Sequence, residues 1–196
     1  MRPMTRAFPL LLLALAGCAP DLRGDFPFDG QPPSGNFIVF GDEGSGSTHL
    51  TVDAVSKNSW AYLDLDTMAE LNAQSTLDPN SWDVSFQRFK VAGNGGSSGP
   101  GPVEIATLTG ADDEALAQAP ADGYQKDGST TVIGGGTEGG WYFYDLNVHK
   151  LTARPELTYV VHSTEGAYFK LKMLSYYDEN GTAARLSLRV GRLLPP

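Results

Sequence analysis

The sequence predicts an all-β fold, mainly of antiparallel sheet, with one short helix. From about Thr48 onward apolar residues alternate with polar ones, which is the period of a half-buried strand. The chain also has 23 glycines and 13 prolines, a composition that favours many strands and turns over long helices. An Asn-Gly pair between two alternating segments is typical of a hairpin. These three observations define the predicted fold class.

The clearest predicted hairpin lies near the end of the chain. Every second residue from Ala167 to Tyr177 falls on one strand face, the turn is supplied by Asp178-Glu179-Asn180-Gly181, and the second strand is ARLSLRV. The other segments with strand-like alternation are HLTVDA, SWAYLDLD, SWDVSFQRFKV, PVEIATL, GWYFYD and LTYVVHS.

Only one segment has a helical pattern. It is ADDEALAQA, from Ala111 to Ala119, and its Asp112 and Asp113 are well placed for the first turn of a helix. The sequence therefore predicts a short helix here, between strands.

Residues 1–17 are predicted to be a signal peptide. Arg2 and Arg6 form a basic leader, and the run from Phe8 to Ala16 is apolar and uncharged. This run is about half the ~20 apolar residues that a membrane-spanning helix needs, so the segment is expected to be removed on export.

Cys18 is the predicted site of lipid attachment. It is the only cysteine, and the preceding Leu15-Ala16-Gly17 looks like the lipobox of bacterial lipoproteins. The alternative is a soluble secreted protein that is cleaved near Ala19. A lone cysteine excludes a disulfide, a cysteine nucleophile and a zinc–thiolate site in the folded domain. The resemblance to such lipoproteins implies several acyl chains on this cysteine, palmitate among them, which would make membrane anchoring effectively permanent.

The rest of the chain is predicted to be a tether, residues 18–47, followed by one β domain, residues 48–196. The tether includes DLRGDFPFDGQPPSGN, which is rich in Pro, Gly and Asp and has no period. Of the 14 basic residues two lie in the leader, so the mature chain has 12 against 23 acidic residues and a formal charge of −11. This charge makes nucleic acid a poor partner.

Two glycine-rich segments could be taken for ligand-binding loops. Gly93 to Gly101 lacks the Lys-Ser/Thr end of a phosphate-binding loop and does not precede a helix, so a turn between strands is predicted. Gly134 to Gly140 is also predicted to be a loop, and with the first it could form one rim of a pocket.

The sequence does not indicate an enzyme. It has three histidines, His49, His149 and His162, none at metal-binding spacing from another, and it has no HExxH or Ser-x-x-Lys motif. His162 is expected on a half-exposed strand and His149 at a turn after an aromatic strand.

Two acidic pairs could be read as acid–base groups or calcium ligands. They are Asp64 with Asp66, on one face of a strand, and Asp112 with Asp113. Neither completes a known calcium-binding loop, so solvated surface is the prediction for both.

Several blocks between Val52 and Val190 share their order and spacing with a known family. Trp82, Asp83, Phe86 and Arg88 form a Trp-Asp-x-x-Phe-x-Arg block, which precedes a Gly-x-Ser-Gly loop, a Gly-Gly-Trp step and a Lys-Leu/Tyr-Tyr-Asp block. In these blocks the chain resembles the HmuY family of haem-binding lipoproteins. The resemblance implies an HmuY-like all-β fold that holds one haem between two axial side chains. It also implies a lipid anchor on the outer membrane and delivery of haem to an outer-membrane receptor.

The resemblance makes His149 the expected haem ligand. In haem-binding members one ligand lies in an insertion before the Gly-Gly-Trp step and the other a few residues after it. Here the insertion is DGSTTVIGGGTE, residues 127–138, without His or Met, and Leu146 occupies the expected position of the second ligand. His149 lies closest to that position, and no second ligand is matched.

Two functions therefore remain open at the level of sequence. One is binding of haem, or a related hydrophobic ligand, for uptake. The other is a non-haem surface lipoprotein that uses the same sheet to contact a protein or a glycan. The aromatic residues suit either function, because aromatic rings can cover a porphyrin or a sugar. They are Trp141, Tyr142, Phe143, Tyr144, Tyr176 and Tyr177.

Overall fold

The computed structural model describes residues 38–42, 46–71, 78, 80–134 and 140–196. The predicted signal peptide, Cys18 and most of the predicted tether lie outside these residues. Within the described part of the chain, no helix has the length and apolar character needed to cross a membrane.

The described residues form antiparallel β-sheets, as predicted. The largest sheet has six strands in the order β1-β2-β12-β11-β10-β7, a second has the order β4-β3-β5-β6, and β8 and β9 form a separate pair. The strands are β1 Ile38–Asp42, β2 Ser47–Asp53, β3 Ala61–Asp64, β4 Ala69–Leu71, β5 Val84–Gln87, β6 Lys90–Gly93, β7 Glu104–Thr109, β8 Tyr142–Asp145, β9 Lys150–Ala153, β10 Leu157–His162, β11 Tyr168–Tyr177 and β12 Ala183–Leu193.

One apolar core joins the two larger sheets. It includes Leu50 and Leu188 from the six-stranded sheet and Leu63 and Phe86 from the four-stranded sheet, each with no exposed surface. Full burial of one such side chain contributes about 1.5–3 kcal/mol. The sheets therefore stabilise one another through shared burial, without a disulfide.

The predicted hairpin of the C-terminal strands is confirmed, with one change of face. β11 pairs with β12 in antiparallel register, but the register shifts between Met173 and Ser175 and again between Ser175 and Tyr177. An irregularity of this kind reverses the alternation of side chains. Tyr176 therefore lies in the core with Phe169, at 2% exposure, whereas simple alternation placed Tyr177 on the face of Phe169.

The turn of this hairpin uses Asp178 as well as the Asn-Gly pair. The Asp178 carboxylate accepts hydrogen bonds from the N–H groups of Asn180 at 2.9 Å and Thr182 at 2.7 Å. Gly181 has a φ of 79°, a conformation that glycine adopts readily. The backbone of Asp178 also forms hydrogen bonds with Gly181 and Thr182. The loop that joins β11 to β12 is therefore longer than a two-residue Asn-Gly turn, and Asp178 closes it.

The predicted helix over Ala111–Ala119 is wrong: the described residues here form a turn and extended chain. Leu116 N–H donates a helix-type hydrogen bond to the Asp112 carbonyl at 3.0 Å. Beyond it, Ala119 N–H donates to the Leu194 carbonyl at 2.9 Å, and this pairing with the end of β12 replaces further helical turns. A helix this short gains little from its own hydrogen bonds, so tertiary pairing decides the conformation.

The β domain starts earlier than residue 48, which the sequence predicted as its first residue. β1 lies within the segment 18–47 assigned to the tether, and it pairs with β2 from Ile38↔Val52 to Asp42↔Thr48. Ile38 is buried in the core at 2% exposure. The strand was missed because its short apolar run does not alternate.

Candidate functional site

Trp141 lies at the base of the exposed β8–β9 hairpin. It is 1% exposed, and its indole Nε1–H donates to the Phe89 carbonyl at 2.8 Å. Its ring contacts those of Tyr142 and Tyr176, with centroids 5.1 and 6.4 Å away. The Gly-Gly-Trp step singled out in the sequence therefore fixes the base of β8 in the core.

The β8–β9 hairpin extends from this base. Arg154 N–H donates to the Trp141 carbonyl at 2.8 Å, and the Arg154 guanidinium lies 4.8 Å from the centre of the Phe143 ring. On the other strand, Leu151 N–H donates to the Tyr177 hydroxyl at 3.1 Å, which ties β9 to the end of β11. The hairpin is thus held at its base and along one strand.

The tip of the hairpin exposes apolar side chains. Leu146 is 74% exposed and Val148 59% exposed, and both lie in the turn that joins β8 to β9. Phe143 and Tyr144, in β8, are also exposed. A cluster of exposed apolar side chains marks a surface suited to a ligand, a partner or a membrane.

His149 lies in this turn, as the sequence predicted. Its φ of 53° is in the left-handed region, which is uncommon outside glycine. The turn is stabilised by a hydrogen bond from Asn147 N–H to the Asp145 carboxylate at 2.8 Å. His149 Nδ1 lies 2.7 Å from the Tyr144 hydroxyl, and within the described residues Nε2 has no hydrogen-bond partner.

This arrangement fits the donor that haem iron requires. A neutral imidazole bound through Nε2, with Nδ1 hydrogen-bonded to a second group, is the usual form of a histidine ligand. His149 can adopt that arrangement at an exposed apolar tip when Nδ1 carries the proton and donates it in a hydrogen bond to the Tyr144 hydroxyl. The Tyr144 contact was missed by sequence reasoning, because it depends on the geometry of the turn.

The position expected for a second ligand holds no donor. Leu146 lies at the tip and is the most exposed of the large apolar residues described. The described part of the insertion packs on the domain: the Asp127 carboxylate accepts N–H bonds from Gly93 at 2.9 Å and Val132 at 2.7 Å, and Ile133 is fully buried. Residues 135–139 lie outside the described residues.

The other histidines occupy structural positions. His162 is half-buried in β10, as predicted, and its ring stacks on Tyr168 at 4.5 Å with an interplanar angle of 7°. His49 Nε2 lies 2.7 Å from the Ser187 hydroxyl on the neighbouring strand. Neither lies on the β8–β9 hairpin.

The loop Gly93 to Gly101 joins β6 to β7, as predicted, and is packed against the domain. Asn94 donates to the Trp82 carbonyl at 2.8 Å and accepts from Gly101 N–H at 3.0 Å. Ser97 N–H donates to the Asp127 carbonyl at 2.8 Å. These polar groups of the loop therefore form hydrogen bonds within the protein that hold the loop against the domain. The second glycine-rich segment, 134–140, lies mostly outside the described residues.

Asp64 and Asp66 are not simply solvated surface, which corrects that prediction. Their carboxylates come within 4.8 Å of that of Asp83, which is fully buried. Asp83 accepts N–H bonds from Leu65 at 2.8 Å and Thr164 at 2.7 Å. Burial raises the pKa of the Asp83 carboxyl, and these hydrogen bonds oppose the rise. Asp83 thus links separate loops of the fold.

Asp113 also departs from the predicted solvated surface. Its carboxylate pairs with Arg189 at 3.1 Å and lies 3.8 Å from the Lys172 ammonium. Its partner in the sequence pair, Asp112, accepts an N–H bond from Glu114 at 3.0 Å. Asp113 therefore fastens the 111–119 segment to the six-stranded sheet, whereas the bond to Asp112 lies within the segment.

Several solved structures share the fold of this chain. A candidate lipoprotein of Bacteroides fragilis is 16% identical, with a TM-score of 0.58 over 82% of this chain and 97% of that chain. A candidate HmuY-like haem-binding protein of Bacteroides vulgatus is 16% identical, with a TM-score of 0.54 over 80% and 97%. The apo form of an HmuY analog of Tannerella forsythia is 14% identical, with a TM-score of 0.56 over 80% and 96%.

No curated protein sequence matches this chain significantly. The sequence profile of the HmuY protein family matches residues 56–189, which is more than half of the chain. This range includes the Trp-Asp block, the Gly-Gly-Trp step, the β8–β9 hairpin and most of β12. The chain therefore belongs to the HmuY family.

Proposed function

We propose that this protein is an extracytoplasmic lipoprotein that binds haem, or a related flat hydrophobic ligand, for uptake. It is proposed to be no enzyme, to be held at the outer membrane by lipid on Cys18 and to pass its ligand to an outer-membrane receptor. The family match supports the ligand class, and the Bacteroides vulgatus relative is by name an HmuY-like haem-binding candidate.

The observation that carries the proposal is the position of His149 on an apolar tip. A porphyrin is flat and apolar with an iron at its centre, so it needs apolar cover and a nitrogen donor in one place. Leu146 and Val148 supply exposed apolar surface, and His149 supplies the donor from the same turn.

The expected strength of binding follows from these contributions. Leu146 and Val148 would each contribute about 1.5–3 kcal/mol to the free energy of binding if the ligand buried them fully. Micromolar binding requires about 8 kcal/mol. Apolar cover alone therefore falls short, and coordination by His149 must supply much of the difference. With one matched ligand, we expect five-coordinate iron, or iron with water on the open side, and weaker binding than a bis-ligated protein would show.

The test is titration of the purified protein with haemin, followed by its Soret absorption. We expect a saturable Soret shift for the wild type and at least tenfold weaker binding for His149→Ala. His162→Phe is the matched control, because it removes another imidazole but keeps a ring stacked on Tyr168. This variant should bind as the wild type does.

The same titration separates the alternatives. Tight, low-spin binding that survives His149→Ala would place the haem site elsewhere in the fold. No saturable shift in the wild type would contradict haem binding and favour the second candidate, a surface protein that contacts a protein or glycan. The absence of a donor at Leu146 and the exposed aromatic residues of β8 favour this second candidate.

A further inference from the structure

We propose that Tyr144 is a positioning residue that accepts a hydrogen bond from His149 Nδ1–H and so keeps Nε2 free to bind iron. This inference rests on the proposed function, since it names a residue that prepares the same site for its ligand. Its direct evidence is the distance of 2.7 Å between the Tyr144 hydroxyl and His149 Nδ1.

The backbone of the hairpin brings these two side chains together. Asp145 pairs with Lys150, so the four residues between them form the turn and His149 is the last of the four. The Asp145 carboxylate holds Asn147 N–H, and His149 takes a left-handed φ of 53°. This conformation is unfavourable for a residue with a side chain, so the turn must be held by its other contacts.

The contact between the rings is a hydrogen bond and not a stack. Their centroids are 6.0 Å apart and the ring planes are tilted by 45°. Both side chains are exposed, so burial does not force them together. The hydroxyl and Nδ1 are therefore the atoms through which Tyr144 orients the imidazole.

The chemistry of the two groups determines which arrangement suits iron. A neutral imidazole has one N–H, and a tyrosine hydroxyl can donate or accept. If Nδ1 carries the proton, the Tyr144 hydroxyl accepts a hydrogen bond from Nδ1–H and the Nε2 lone pair is free. If Tyr144 donates to Nδ1, then Nε2 carries the proton and cannot coordinate iron. Binding of iron at Nε2 thus selects the arrangement in which Tyr144 is the acceptor.

The hydrogen bond also reduces the cost of ordering. An exposed histidine side chain samples several rotamers, and freezing one of them on binding opposes association. A ring already held by Tyr144 loses less freedom when a ligand arrives. Partners of this kind typically change metal affinity by about 10–100-fold.

The experiment compares Tyr144→Phe with Tyr142→Phe in the full-length protein. Both variants remove one hydroxyl from β8 and keep the ring, but only Tyr144 lies against His149. The first measurement needs no haem: long-range nitrogen–proton NMR correlations report which ring nitrogen of His149 carries the proton. We expect Tyr144→Phe to lower the population with the proton on Nδ1, and Tyr142→Phe to leave it unchanged.

The second measurement is haemin binding to the same proteins. We expect Tyr144→Phe to weaken binding about 10–100-fold while the spectrum keeps an imidazole ligand, and Tyr142→Phe to bind as the wild type does. Unchanged proton position and unchanged affinity in Tyr144→Phe would overturn the inference. An iron–phenolate absorption band that is lost in Tyr144→Phe but kept in His149→Ala would also overturn it, because Tyr144 would then be the ligand itself.

The two measurements separate failure of this inference from failure of the proposed function. If the wild type binds no haemin, the proposed function fails, and the part assigned to Tyr144 in iron binding falls with it, whatever the NMR result. If the wild type binds haemin through His149 but Tyr144→Phe changes nothing, only the inference fails.

Discussion

At the scale of single residues, Asp83 of the Trp-Asp-x-x-Phe-x-Arg block holds two loops together. Its two carboxylate oxygens accept bonds from Leu65 and Thr164, which belong to separate loops. The side chain is fully buried, and burial raises its pKa above the ordinary value of 3.8. The native state therefore keeps a proton on Asp83 at pH values where the unfolded chain has lost it.

This difference predicts how stability depends on pH. Because the native pKa is raised, the stability linked to Asp83 is highest at or below pH 3.8 and falls as pH rises through the native pKa. Asp83→Asn cannot titrate, and its amide leaves one backbone N–H without an acceptor, at a cost of about 1–3 kcal/mol. In urea unfolding at a series of pH values, the advantage of the wild type over Asp83→Asn should shrink as pH rises.

Asp178 provides a control with the opposite sign. Hydrogen bonds from the N–H groups of Thr182 and Asn180 lower the pKa of its carboxyl, Thr182 contributing most. Stability linked to Asp178 is therefore present above pH 3.8 and is lost as pH falls through the lowered native value. The stability advantage of the wild type over Asp178→Asn should therefore grow as pH rises. If the advantage over Asp83→Asn and the advantage over Asp178→Asn changed with pH in the same way, both pKa assignments would be contradicted.

At the scale of elements, the loop Gly93–Gly101 depends on close backbone approach. Gly96 has a φ of 63°, and a Cβ added there would lie 2.0 Å from the Asp127 carbonyl oxygen. That carbonyl already accepts the N–H of Ser97. A side chain at Gly96 would therefore displace the loop from the segment that contains Asp127.

We expect Gly96→Ala to destabilise the fold by about 3 kcal/mol or more, through strain and lost contacts. Gly110→Ala is the matched control, because Gly110 has a φ of 75° but nothing within 4 Å of an added Cβ. Gly110→Ala should lower the stability of the fold only by the cost of placing alanine in the left-handed conformation, about 1–2 kcal/mol. Chemical denaturation of both variants checks the difference. Equal losses would show that the Asp127 contact does not matter.

The elements also show how far sequence patterns reach. Alternation predicted the C-terminal hairpin correctly, because each strand buries one face and the pattern records that burial. It placed Tyr177, and not Tyr176, on the strand face of Phe169, because the irregularities in β11 depend on pairing with β12. The helix predicted over 111–119 was wrong for a related reason, since pairing with Leu194 is not visible in local sequence.

The candidate site was predictable only in part. Family resemblance placed His149 after the Gly-Gly-Trp step, and the turn residues around it indicated an exposed position. Its contact with Tyr144 depends on the left-handed backbone conformation of His149, which the residue types in the turn did not predict. The role of Asp83 was equally hidden, because Thr164 lies 81 positions further along the chain. Long-range contacts of this kind arise only when the sheets assemble.

At the scale of the whole molecule, the hairpin and the first described strand lie towards the same end of the six-stranded sheet. Ile38 pairs with Val52, which pairs with Leu186 near the start of β12, and β9 is tied to Tyr177 at the end of β11. The chain that precedes Ile38 therefore joins the domain at the end that carries the hairpin. If Cys18 is lipidated, residues 19–37 link the lipidated cysteine to the domain, so the length of this segment limits how far the proposed haem-binding tip can reach from the membrane.

The proposed lipid anchor makes the membrane association of the protein depend on one residue, Cys18. In the proposed function lipid is attached to the sulfur of Cys18, so Cys18→Ser should remain uncleaved by lipoprotein signal peptidase, lose acyl labelling and leave the detergent-soluble membrane fraction. Ala19→Ser is the control, because it changes the neighbouring residue and keeps the only sulfur that could be acylated. Labelling with a fatty-acid analogue and fractionation of the cells check both variants. Normal membrane partition with undiminished acyl labelling in Cys18→Ser would contradict the anchor, because several acyl chains on this one cysteine are what would hold the protein permanently.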